Sequence, residues 1–275
     1  MEGDEIFIAV VSAAVAAWGS SASTISRMPT MALRHTRWIG LTRLATAAAM
    51  AWILVVLLNY ADPSVIGIYV WFYLLMGYAV VKGIAALGAR LFGVRFRADV
   101  CERHNPAAAV FFAGFVLATG MIFGGCLWGE ADPTGSDEGG WWIPVGFFFA
   151  GWLVLLLALA LFFWREPGPT RLRIRRDRNL PAARAAATYA LVSAWMLTEA
   201  VAGDFYGWMQ GLLAVGGVAV LLVVHEAFAF GESRMVSAID QGSNARKWET
   251  LAYALSGAVF WWLNRILENR LATLT

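Results

Sequence analysis

Residues 95–125 read RFRADVCERHNPAAAVFFAGFVLATGMIFGG. A charged approach of eleven residues delivers the chain into twenty residues without a charge. Pro106 suits the first turn of a helix, where its missing N–H leaves no donor unsatisfied, and Asn105 beside it is placed to cap the exposed donors that follow. At 1.5 Å per residue the apolar half covers about 30 Å, the thickness of a hydrocarbon core. The stretch predicts a helix that starts at a defined point on one face of a membrane and ends at the other.

The rest of the chain repeats this arrangement. With 60% hydrophobic and 15% charged residues, 275 residues cannot be hidden in one water-soluble core, so the chain reads as an integral membrane protein. Trp141, Trp142, Trp164 and Trp208 fall at the ends of apolar runs, where indole rings favour the headgroup boundary. The two cysteines, Cys101 and Cys126, flank one apolar run. At that separation on a helix they stand roughly 37 Å apart, far beyond disulfide reach.

Eight spans are expected, at about residues 6–22, 39–60, 65–87, 106–128, 141–164, 181–202, 205–230 and 251–267. The N-terminus carries Glu2, Asp4 and Glu5 where a secretory signal carries Lys or Arg, which favours an uncleaved first span. Asp62-Pro63-Ser64 and Gly203-Asp204 are tight turns, and residues 129–140, GEADPTGSDEGG, form an acidic loop with no apolar period. The fold class is an all-α, polytopic bundle in a single domain, 1–275. It divides into four two-helix units at about 1–60, 61–128, 129–202 and 203–275.

Of the 21 Arg and Lys, all but Arg265 and Arg270 lie on the side of the four long loops. By the positive-inside rule those loops face the cytoplasm. The opposite side holds both termini and three short connections, with eleven of the nineteen acids, Asp62, Glu130, Glu199 and Asp204 among them. Both termini are therefore expected outside the cytoplasm.

Three of the units share a pattern: in VCERHNPAAA, IRRDRNLPAA and IDQGSNARKW, Asn105, Asn179 and Asn244 each follow an aliphatic residue, Val100, Ile174 or Ile239, by five positions. This is read as an internal repeat in which a short interfacial helix, its aliphatic residue facing lipid, breaks at an Asn that caps the next span. Around these residues the chain resembles the YjfL-like bacterial membrane proteins, domain of unknown function 350. These are tandem two-helix units with an Asn, an Ala-rich helix and a glycine about nine residues on. Asn105 with Gly114 fits this best, whereas Thr188 and Tyr253 replace the glycine in the other units. The resemblance implies a topology and no activity.

Chemistry-bearing residues are sparse. His225-Glu226 continues as HEAFA, without the second histidine that a zinc-protease helix needs. No nucleophile is paired with a base, so neither an enzyme, a metal site nor a cofactor is expected. The basic run RLRIRRDRN supplies a candidate lipid or partner patch, Arg171, Arg173, Arg175, Arg176 and Arg178, although topology determination alone also accounts for it. Glu199, twenty residues after its capping Asn, sits level with Asn264 and next to Arg265 in the repeat register. It either forms a partly buried ion pair with Arg265 or reaches water beside Asp204.

Two functions follow. The first is a structural or accessory component whose basic loops engage anionic lipid or a cytoplasmic protein, with a second copy of the chain as a further partner and nucleic acid excluded. The alternative is a channel or transporter with a pathway between repeats. The apolar runs hold few polar groups at mid-depth, which favours the first.

Overall fold

In the computed structural model, residues 3–24, 36–135, 139–165 and 174–236 are described. They fold as α-helices: α1 (Gly3–Thr24), α2 (Thr36–Asn59), α3 (Ile68–Ala79), α4 (Ala85–Leu91), α5 (Pro106–Gly125), α6 (Trp142–Arg165), α7 (Leu180–Val201) and α8 (Trp208–Val236). A π-helical turn, Val80–Ile84, fuses α3 to α4 into one rod, and a second, Phe96–Glu102, leads toward α5. There is no strand among the described residues beyond an isolated parallel bridge between Ala61 and Gly129.

Six of these segments are long and apolar enough to cross a membrane: 3–20, 38–59, 68–91, 106–125, 142–164 and 208–226. Their outward faces carry large apolar side chains, Leu44, Trp71, Leu153 and Val220 among them, that water would penalise and lipid accepts. α7, expected as the sixth span, is a helix of 22 residues but is less apolar than the others, since it carries Arg184, Glu199 and several hydroxyls. It gains shelter from protein instead of lipid, with eleven of its residues buried. The eighth expected span, 251–267, lies outside the described residues.

α5 is the axis. Being apolar on every side it has no face suited to water, and sixteen of its twenty residues are buried. It packs against α2 on one flank and α7 on the other, while α1 lies on α3 and α6 lies on α7 and α8. Small residues set the approach: a Cβ added at Gly114 would stand 2.7 Å from the Cβ of Ala187, and one at Gly120 would stand 2.6 Å from that of Ala49. The backbones therefore come as close as membrane helices allow. Thr188, standing where the family pattern has glycine, does not hold α7 off, because Gly114 meets its neighbour Ala187.

Rings fill what remains. Phe123 meets Phe148 at 5.6 Å, Phe162 stacks on Tyr189 at 4.9 Å, and Phe92, Phe111 and Phe163 cluster at 5.3–6.2 Å nearer the start of α5. Ring contacts thus recur along the bundle axis from that end to the later turns of α5.

Candidate functional site

The two ends of the bundle differ in kind. At the basic end the Asn caps form as expected for two of the three. The Asn105 side-chain oxygen accepts from the backbone N–H of Ala107 at 2.9 Å and of Ala108 at 3.2 Å. Asn179 accepts from Ala182 at 3.0 Å alone, because the intervening residue is Pro181, which has no N–H to give. Each cap follows a residue in the left-handed region, His104 at φ 50° and Arg178 at φ 53°, which turns the chain sharply into its helix. Asn244 lies outside the described residues.

The aliphatic residues that precede the caps sit elsewhere than expected. Val100 and Ile174 do not face lipid; each is 1% exposed in the protein core. The reason is a bond across the two segments: the Asn105 amide donates to the carbonyls of Ile174 at 2.8 Å and Arg175 at 3.0 Å, drawing the second loop over the first. Buried Asp99 completes the knot. Its carboxylate accepts from the backbone N–H of Arg95 at 2.8 Å, from Arg103 at 3.1 Å and from Arg175 at 3.2 Å. Beside it, burial and the Glu102 charge push the Cys101 thiol up despite Arg43 and Arg97, so this thiol is a poor nucleophile.

The basic patch is therefore divided. Arg175 is committed to Asp99, and Arg178 donates to the carbonyl of Arg103 at 3.1 Å. Arg176 is exposed, and Arg171 and Arg173 lie outside the described residues.

The acidic end is open. Three turns are knitted there into a rim: Gly129 N–H donates to Tyr60 at 2.8 Å, Gly203 N–H to Trp128 at 2.9 Å, and Phe205 N–H to Glu130 at 2.9 Å. Two carboxylates lock the turns from the side, with Ala131 N–H on Asp62 at 2.8 Å and Glu130 N–H on Asp204 at 2.9 Å. A side chain at Gly129, at φ 109°, would collide with the Gly203 backbone, so the crossing needs glycine. Tyr60 and Trp128 stack at 3.9 Å behind it.

Beneath this rim lies a cavity of about 700 Å³ lined from α1, α2, α3, α6, α7 and α8. Five carboxylates line it, Glu5, Asp62, Glu130, Glu199 and Asp204, and among the described residues no Lys, Arg or His does. Tyr69, Tyr73, Trp128, Trp141, Phe147 and Phe205 contribute its rings, and along α8 it descends from Gln210 past Gly217 to Leu221. Burial raises the Asp62 carboxyl, but the bonds from Ala131 and Ser64 outweigh it and hold the group below the usual carboxylate range, so it is charged at neutral pH. Among the described residues Glu199 makes no hydrogen bond or ion pair, and Arg265, its expected partner, lies outside them.

The cavity was not anticipated from sequence, where these acids served to set orientation. A signal existed: Ala61-Asp62-Pro63-Ser64 and Ala131-Asp132-Pro133-Thr134 are near-identical, and in both the Asp accepts from the backbone N–H two residues on, at 2.7 and 2.9 Å. Such Asx turns mark two of the three places at this rim where one helix is folded back on the next. Among the described residues no three His, Cys, Asp or Glu side chains converge as a metal ion would require, and the cavity carboxylates are spread around its wall. No family model, no curated protein and no solved structure matches the chain.

Proposed function

We propose that this membrane protein works as a binding protein through its acidic cavity, which opens to the exterior, and that it is not an enzyme. The observation that carries the reading is the cavity itself: about 700 Å³, ring-lined, with five carboxylates and, among the described residues, no cation on its wall. Pockets of this size with few charged groups of one sign are the usual form of small-molecule sites. The positive-inside rule supports the orientation, since the arginine-rich loops gather at the other end in a bacterial inner membrane.

The accessory role through basic loops has less support, because Arg175 and Arg178 are spent on holding neighbouring segments together and Arg176 remains exposed for lipid or a protein. Transport along a pathway between repeats is opposed by the filled ring core below the cavity, which would have to part. The four-unit repeat and the kinship with YjfL-like proteins stay proposals resting on the two matching Asn caps and the two Asx turns.

Thiol labelling tests the reading. Gly217 lies on the cavity wall with open space around a Cβ, whereas Val220, one turn away, is 62% exposed on an apolar face. In a background lacking Cys101 and Cys126, Gly217→Cys in intact cells should react with a neutral, membrane-impermeant maleimide, and Val220→Cys should not, because lipid covers it. Absence of reaction at position 217 from outside would overturn the open cavity.

A further inference from the structure

We infer that the cavity accepts an amphiphilic organic cation, an ammonium or phosphonium centre carrying aromatic or alkyl groups; the inference rests on the cavity being the working site. Three independent features of the wall select that class. The first is charge: the described lining carries five carboxylates and, among the described residues, no Lys, Arg or His, so it is negative, and low-dielectric walls focus that potential. The second is the presence of rings. Tyr69, Tyr73, Trp128 and Trp141 bring their rings to the same space, with one face of Trp128 already stacked on Tyr60, and ring faces attract cations whose weak hydration lets them leave water. The third is dispersion. A metal ion needs several oxygens within about 2.6 Å of one point, and no such convergence occurs among the described residues. A delocalised or shielded organic charge needs only one or two carboxylates nearby and apolar contact elsewhere.

The carboxylates divide by commitment. Asp62 and Asp204 accept backbone N–H groups and hold the rim, and Glu5 accepts from the Tyr69 hydroxyl at 3.5 Å. Glu199 is partly buried at the end of α7 and makes no bond among the described residues, and Glu130 presents an exposed side chain while its backbone does the structural work. These two are the groups left to meet a ligand's charge. Below them Phe147 and the α8 stretch from Gly211 to Leu221 give an apolar floor for its body. An anion of the same shape would meet the same rings and floor but the wrong sign of field.

Tetraphenylphosphonium and tetraphenylborate form the decisive pair of probes, nearly identical in size and apolar surface and opposite in charge. The full chain in phosphatidylcholine nanodiscs should bind the phosphonium saturably above the empty-disc background, and the borate should show partition only. Saturable binding of both alike would overturn the inference while leaving an open cavity in place; failure of the maleimide reaction above would remove both. Glu130→Gln with Glu199→Gln should weaken phosphonium binding roughly five- to tenfold, as loss of two nearby charges requires, and unchanged affinity in that folded variant would also overturn it. Repeating the titration with phosphatidylethanolamine in the disc separates two sources of the same chemistry. A shift to weaker apparent affinity identifies a lipid headgroup amine as resident, and no shift identifies a soluble cation.

Discussion

Asn105 does more than end a loop. A cap that water still reaches contributes about 1 kcal/mol, and half-buried Asn179, with one backbone bond to Ala182, is of that kind. Asn105 is 1% exposed and uses oxygen and amide together, accepting from its own helix and donating to Ile174 and Arg175. Asn105→Ala strands two helix donors and two loop carbonyls in a dry place, where each loss costs more than the bond's net value in water. The expected destabilisation is about 2–3 kcal/mol, against about 1 kcal/mol for Asn179→Ala. Thermal midpoints in detergent measure both, and equal shifts would show that the amide bonds contribute nothing. Asn105→Asp adds a diagnostic, since it keeps the cap and places a carboxylate against two carbonyls; it should resemble the Ala variant more than the native protein.

The helices themselves were legible because lipid and protein interiors ask for the same thing: a long apolar run with a cap before it and a turn after it. That identity of demand also explains what could not be read. Val100 and Ile174 look the same whether they face acyl chains or Phe side chains, so their burial was invisible until the Asn105 amide joined the two loops. Likewise α7 looks weak as a lipid-facing span, with Arg184 and many alanines, and its alanines turn out to be the surface against which α5 lies. The fit at Gly114 makes this testable. Gly114→Leu must push α5 and α7 apart against Ala187 and should lower the thermal midpoint by the equivalent of about 2–3 kcal/mol, whereas Gly114→Ala needs a smaller shift and should cost less. If Leu is tolerated as well as Ala, the close contact is not what holds the pair. The cavity was illegible for a different reason: Asp62, Glu130 and Asp204 are far apart in sequence, and only the hydrogen bonds between three turns bring them to one rim.

At the scale of the whole molecule the charge distribution and the fold agree: one end is tied by arginines and a buried Asp99, and the other is acidic and hollow. An export-dependent reporter inserted at Gly135, in the acidic turn with open space around it, should be active, and one inserted at Arg176 should be silent. The reverse result would invert the orientation and point the cavity to the cytoplasm.

The bond between Asn105 and Ile174 also sets a timetable for making the protein. Its acceptor lies 69 residues downstream of its donor. A ribosome adding about 5–20 residues per second needs roughly 3–14 s to supply it. Through that interval α5 has left the tunnel with all its sides apolar, while its capping amide waits at the membrane surface for a partner not yet synthesised. The axis of the bundle is thus inserted before the helix that shelters it exists, and the newborn chain must be kept from other exposed helices until α7 arrives to close the gap.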